Sequence, residues 1–196
     1  MGEDVGTYAI TLGTLTAGDN YDIEYIVANL TIGQKTLTII AIAKNKTYGE
    51  ADPALTYSYE GLEADDEITG SLIREEGESV GTYAILQGSV TAGNNYTISY
   101  TGANLVIGKK TLIITAEAKN KTYGQDDPAL TYTFDGLVGN DTIIGALIRA
   151  AGENVGSYAI QQGTLSAGGN YEISYWVRRA ASDAISRRFI SLTSFP

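Results

Sequence analysis

Leu37-Thr38-Ile39-Ile40-Ala41-Ile42-Ala43 returns 75 residues later as Leu112-Ile113-Ile114-Thr115-Ala116-Glu117-Ala118. Leu37, Ile39, Ala41 and Ala43 match Leu112, Ile114, Ala116 and Ala118, so one alternating face stays apolar in both copies. The opposite face changes freely, from Thr38, Ile40 and Ile42 to Ile113, Thr115 and Glu117. Apolar residues at period two beside a tolerant face mark a half-buried β-strand, and the unchanged set is expected to point into a core.

Neighbouring segments follow the same rule. Leu55-Thr56-Tyr57-Ser58-Tyr59 alternates like Leu130-Thr131-Tyr132-Thr133-Phe134, and Tyr96-Thr97-Ile98-Ser99-Tyr100 is echoed by Tyr21, Ile23 and Tyr25 and by Tyr171, Ile173 and Tyr175. Ile68-Thr69-Gly70-Ser71-Leu72-Ile73 and Gly81-Thr82-Tyr83-Ala84-Ile85 add further strand formers, separated by the charged turn Glu75-Glu76-Gly77-Glu78. No stretch is periodic enough for a helix, and only Asp65-Asp66-Glu67 has room for a helical turn. Short strands with 23 Gly and 3 Pro predict an all-β chain of tandem small β-sandwich modules, immunoglobulin-like, with a β-grasp-like roll as the alternative.

Two unrelated markers share the 75-residue period. Gly6-Thr7-Tyr8-Ala9-Ile10 recurs at Gly81 to Ile85 and at Gly156-Ser157-Tyr158-Ala159-Ile160. Lys46-Thr47-Tyr48-Gly49 with Asp52-Pro53-Ala54-Leu55 recurs at Lys121-Thr122-Tyr123-Gly124 with Asp127-Pro128-Ala129-Leu130. The pattern divides the chain into 1–33, the back part of a repeat; 34–108, a complete repeat; 109–178, a nearly complete one; and 179–196, a tail outside the repeat. The match stops after Tyr175: Thr101-Gly102-Ala103-Asn104-Leu105-Val106-Ile107 is answered by Trp176-Val177-Arg178-Arg179-Ala180-Ala181-Ser182. From Trp176 on the chain carries net charge +3, against −13 for the residues before it. Ala181, Ile185, Phe189 and Leu192 approach helical spacing behind Ser182, but the abrupt break favours a frameshift or a fragment end.

Composition removes several function classes. Without Cys or His there is no disulfide, thiolate or imidazole chemistry, and no usual zinc site. The net charge of −10 argues against nucleic acid and anionic membrane as partners. No apolar run reaches the roughly 20 residues of a membrane span. Met1-Gly2-Glu3-Asp4 is polar and acidic rather than a secretory signal.

Candidate chemistry is sparse. The acidic turns Glu50-Ala51-Asp52-Pro53, Asp65-Asp66-Glu67 and Gln125-Asp126-Asp127-Pro128 offer calcium-type oxygen ligands without the spacing of a calcium loop, so they read as solvated turns. A Lys-to-Asn isopeptide bond would draw on Lys44 or Lys119 with Asn104, but both lysines are expected on the outward face, and such a bond needs a desolvated amine. The Lys44-Asn45-Lys46 tripeptide otherwise reads as an exposed strand end. The 14 Tyr fall at repeat positions; a sugar-stacking platform is one reading, and a Tyr-rich core that includes Tyr57, Tyr83, Tyr96, Ile98 and Tyr100 is the favoured one. No catalytic, cofactor-binding or metal site is assigned, and no enzymatic activity is expected.

Lys46-Thr47-Tyr48-Gly49, Asp52-Pro53-Ala54-Leu55, Gly61-Leu62, Gly70, Leu72, Arg74, Gly77, Val80 to Ile85, Gly88 and Asn95-Tyr96, in this order, resemble the MBG domain of the type marked by a Tyr-Gly dipeptide. The resemblance implies a repeated module of bacterial secreted or cell-surface proteins, often adhesin-like, in which arrays form a stalk or display surface. It brings no catalytic residues. The expected function is therefore a structural spacer whose partners are neighbouring repeat modules, located at the bacterial cell surface or outside the cell. Alternatives are a module that binds a glycan or a host surface protein, or an accessory module of a secreted enzyme.

Overall fold

The computed structural model describes residues 4–178, and among these every regular element is a strand. In chain order they are β1 (Gly6–Ile10), β2 (Ala28–Ile32), β3 (Lys35–Ala41), β4 (Lys44–Thr47), β5 (Tyr57–Glu60), β6 (Ile73–Arg74) and β7 (Gly81–Leu86). There follow β8 (Tyr96–Thr101), β9 (Ala103–Gly108), β10 (Lys110–Ala116), β11 (Tyr132–Asp135), β12 (Ile148–Arg149), β13 (Ile160–Gln161) and β14 (Tyr171–Val177). Two compact units result: one of Met1–Lys46, Ala51–Gly77 and Gly81–Val106, the other of Thr47–Glu50, Glu78–Val80 and everything from Ile107 on. The tail beyond residue 178 lies outside the described residues.

In the first unit, β3 is the centre of a three-stranded sheet of order β5-β3-β8. It pairs antiparallel with β5, Ile39 opposite Tyr59, and parallel with β8, Leu37 opposite Ile98. A four-stranded sheet of order β4-β9-β7-β6 supplies the second layer. Leu37, Ile39 and Ala41 of β3 and Tyr96 of β8 close on Ile85 of β7, Leu105 of β9, Leu72 and Val90. The core thus takes residues from both sheets, the arrangement of a β-sandwich. Each fully buried Leu or Ile contributes roughly 1.5–3 kcal/mol over leaving it in water.

The second unit repeats the first layer with β11-β10-β14, again antiparallel on one side and parallel on the other. Leu112, Ile114, Ala116, Leu147, Leu165 and Tyr171 form its buried cluster. The remaining sheet contains only β12 and β13. The back part of a repeat in 4–33 forms the two-stranded sheet β1-β2, with Gly6 opposite Ile32 and Ile10 opposite Ala28.

Alternation placed the buried face of β3 and β10 correctly through Ala41 and Ala116, but Ala43 and Ala118 are exposed. The reason is a break at Ile42 and Ala43: β3 has ended and the chain enters β4 with the opposite phase. That shift turns Lys46 inward, so the expected exposed end of Lys44-Asn45-Lys46 contains the one buried charged side chain among the described residues. Asp65 belongs to a reverse turn closed by the Asp66 amide donating to the Glu63 carbonyl at 3.2 Å, not to a helix. The strand expected over Ile68 to Ile73 is reduced to the isolated bridge Thr69–Thr91 and the start of β6.

Candidate functional site: a polar clasp and a tyrosine socket

The residues that recur most strictly converge on one polar cluster in each unit. Thr47 to Glu50 form a reverse turn in which the Glu50 amide donates to the Thr47 carbonyl at 3.0 Å. Gly49 sits at φ 83° in the third position, where a side chain would be strained. Glu50 returns the favour by accepting the Thr47 amide at 2.7 Å, a role that Gln125 takes for Thr122 at 3.0 Å. The Tyr-Gly dipeptide is therefore first a turn signal.

Just before that turn, Lys46 donates through Nζ to Asp52 Oδ1 at 2.6 Å. Arg74 closes on the same carboxylate with its fork, Nε to Oδ2 at 2.5 Å and Nη2 to Oδ1 at 3.1 Å. Its Nη1 donates to the Glu75 and Gly77 carbonyls at 2.8 and 2.7 Å, and the guanidinium lies 5.5 Å from the Tyr83 ring centre. Gly77 must be glycine here, because a Cβ would lie 2.2 Å from the Tyr83 ring. The second unit repeats the clasp: Arg149 to Asp127 at 2.5 Å, Lys121 to Asp127 and to Glu153 at 2.7 Å each, and Arg149 5.5 Å from the Tyr158 ring.

Electrostatics follow from these contacts. Arg74 first, then Lys46, holds the Asp52 carboxyl below the ordinary range, and Arg149 with Lys121 does the same to Asp127. Asp127 and Glu153 raise Lys121. Asp52 and Asp127, expected to be solvated turn residues, are thus engaged with cations, and no group of three or more metal-ligating side chains occurs among the described residues. Tyr83, expected in the core, instead forms the floor of the clasp.

The isopeptide candidates can now be placed. Lys44 and Asn104 do line one shallow, open cleft with Ala43, Asn45, Ala103 and Val106. Lys44 is only half-buried and Asn104 is exposed, so the amine keeps the water that condensation requires it to lose. Lys119 pairs with Glu117 at 3.3 Å. Lys46 has the required burial, but its partner Asp52 is held ionised, whereas amide formation needs a protonated carboxyl and a neutral amine.

A second cluster had no sequence signal beyond its tyrosines. Tyr171 and Tyr48 both donate to Asp141 Oδ2, at 2.6 and 3.0 Å, and their rings meet edge to face at 5.5 Å. The Val138 amide donates to the Tyr171 hydroxyl at 2.9 Å. Gly49 lies so close to Val138 that a Cβ would come within 2.6 Å of it. Nearby, the Val80 amide donates to Asn170 Oδ1 at 2.9 Å. The first unit shows the same set at residues 75 positions earlier: Tyr96 donates to Asp66 at 2.5 Å and accepts the Glu63 amide at 3.0 Å, and the Val5 amide donates to Asn95 Oδ1 at 2.9 Å. Tyr48, Gly49 and Val80 are repeat residues that complete a core lying 75 residues further on. Their own copies Tyr123 and Val155 are 71% and 91% exposed. Burial and then Asp141 raise Tyr171, and Asp141 raises Tyr48.

A model of the MBG domain (YGX type) matches residues 1–31, 37–106 and 112–178. No curated protein and no solved structure matches the chain. The Tyr48-Gly49 and Tyr123-Gly124 turns carry the dipeptide that marks this type. With matches running over most of its length, the chain belongs to the MBG domain family of YGX type.

Proposed function

We propose that the chain is a structural spacer from a bacterial cell-surface or secreted adhesin-like protein, with neighbouring repeat modules as its partners and no catalytic role. The observation that carries this reading is where the most strictly repeated residues go. Lys46, Asp52, Arg74, Gly77 and Tyr83 are committed to the clasp, and Tyr48, Gly49 and Val80 to completing the next repeat's core. A residue tied up in internal bonds is not available to a ligand. Function class follows from that commitment, because repeats that complete one another form arrays.

The alternative, binding of a glycan or host surface protein, would have to use outward side chains such as Tyr59, which is exposed on β5. The test is to present the full chain to a glycan array with and without calcium. A spacer gives no specific signal in either condition. Specific retention that Tyr59→Ser abolishes would overturn the spacer reading in favour of a binding module.

A further inference from the structure

The clasp and its turn account for Lys46 and Thr47, but not for the residue in front of them. Asn45 recurs as Asn120, giving Asn45-Lys46-Thr47 and Asn120-Lys121-Thr122 at the 75-residue period. Both asparagine side chains are exposed and stand outside the bonds of clasp and turn. An asparagine followed two places later by threonine is the acceptor triplet for attaching sugar to an amide nitrogen. The chain holds three further triplets of this form, Asn29-Leu30-Thr31, Asn95-Tyr96-Thr97 and Asn140-Asp141-Thr142. None of them recurs, because their copies read Asn104-Leu105-Val106, Asn170-Tyr171-Glu172 and Asp65-Asp66-Glu67. Asn95 is also committed elsewhere: its Oδ1 accepts the Val5 amide and its Nδ2 donates to Asp4, both at 2.9 Å.

Local geometry suits the recurrent triplet. Strand β4 alternates, so buried Lys46 and half-buried Lys44 face inward while Asn45 and Thr47 share the outward face. The amide and the hydroxyl that are recognised together thus lie on one side. β4 also ends its sheet, in the order β4-β9-β7-β6, so the triplet is not enclosed between strands. Asn45 borders an open cleft with Asn104 and Val106. Val106 is 45% exposed and offers an apolar surface to one face of a pyranose ring, with the Asn104 amide beside it for the ring hydroxyls. In the second unit residues 119–122 form no strand, so Asn120 is reached without unpairing a ladder. We propose that Asn45 and Asn120 are N-glycosylation sites, each receiving sugar from a glycosyl diphosphate donor through a glycosyltransferase. The amide Nδ2 attacks the anomeric carbon, the bond from that carbon to the diphosphate oxygen breaks with its electron pair leaving on the diphosphate, and the proton lost from nitrogen passes to a base of the transferase. A sugar at Asn45 also covers the open edge of the sheet, which otherwise invites pairing with another chain. This inference is independent of the spacer role, since a spacer and a binding module can both carry sugar.

The test is intact-mass measurement and peptide fragmentation of the full chain isolated from the cells that produce it. The peptides containing Asn45 and Asn120 are expected to gain the mass of a sugar, and the peptide containing Asn95 to gain none. A gain of a single hexose points to a nucleotide-activated donor, and a gain of one common oligosaccharide block to a lipid-linked donor. Thr47→Val and Thr122→Val keep each asparagine and remove only the hydroxyl. The turn uses the backbone of Thr47 and Thr122, so it stays in place in both variants. Each variant is expected to lose the gain at its own site and to keep it at the other, which separates loss of the acceptor triplet from general misfolding. Unmodified peptides at both positions, or gains that survive the Thr→Val substitutions, would overturn the proposal.

Discussion

Repeats 34–108 and 109–178 share their first layer strand for strand, yet among the described residues only the former has a second layer of four strands. The difference traces to one segment. Where Ala103–Gly108 is present, Lys44–Thr47 and Gly81–Leu86 are both strands; where its sequence is replaced, residues 119–122 are not and only Ile160–Gln161 survives of the other. A central strand satisfies the backbone groups of two neighbours at once, so the replaced sequence is felt on both sides: among the described residues one neighbouring strand is missing and the other is shortened. The back part of a repeat in 4–33 gives the converse case. Ile10 is half exposed there while its copy Ile85 is 1% exposed.

The sharpest way to break this comparison is to truncate the same position in each repeat. Ile85→Ala removes a side chain held from all sides and is expected to destabilise its unit by about 3 kcal/mol, whereas Ile160→Ala should cost about 1 kcal/mol. Amide hydrogen exchange along a denaturant series reads the two units separately. Equal losses would mean that the second unit closes its core by a route the strand count does not reveal. Asp52→Ala comes next. It takes the carboxylate from Lys46, whose side chain is 3% exposed, while Asp127→Ala takes the same group from Lys121, which is 23% exposed. The first substitution should lower the denaturation midpoint more than the second. A larger effect at Asp127 would show that burial of the lysine is not what makes the clasp matter.

Much of this was legible in the residues, and the failures have physical causes. Alternation in Leu37 to Ala41 fixed the buried face because burial on one side is a local property of a strand. It was silent on the parallel pairing of β3 with β8, since a partner 61 residues away, Leu37 with Ile98, leaves no local trace. Lys46 was misread because a two-residue break inverts the phase, and the inversion is set by how β4 finds β9, not by its own sequence. The period itself located the clasp residues without explaining them. Only geometry shows that Arg74, Asp52 and Tyr83 are recurrent because they touch. Tyr48 is the subtler case: its recurrence reads as core, but the core it completes lies in the next repeat.

Alkaline pH should widen the contrast between the units. Burial and Asp141 raise Tyr171, Asp141 raises Tyr48, and burial raises Tyr175 in the second unit, against Tyr96 and Tyr100 in the first. A phenol whose folded pKa is raised contributes stability that is complete below its unfolded pKa of about 10 and is lost as pH climbs toward the folded value. Two phenols share one carboxylate at Asp141, so the second unit is expected to lose exchange protection first as pH passes 10. At the acid end Asp52 and Asp127 are depressed, so the clasp's contribution is present above their unfolded pKa of about 3.9 and fades as pH falls through the lower folded values. Simultaneous alkaline loss in both units would remove the special status of the shared carboxylate.

The smallest effect is the most discriminating, because it compares two identical residues. Tyr48→Phe deletes a hydroxyl that donates to Asp141 but keeps the ring that meets Tyr171 edge to face. Asp141 retains the Tyr171 hydroxyl, so the unit stays folded and loses only part of the socket. Tyr123→Phe deletes the same atom at the same repeat position, where the side chain is 71% exposed and the turn alone depends on the backbone. The first substitution is therefore expected to speed amide exchange around Val138 and Tyr171, and the second to change nothing measurable by the same reading. If Tyr48→Phe were also silent, the recurrence of the Tyr-Gly dipeptide would be explained by its turn alone, with no part in completing the following repeat.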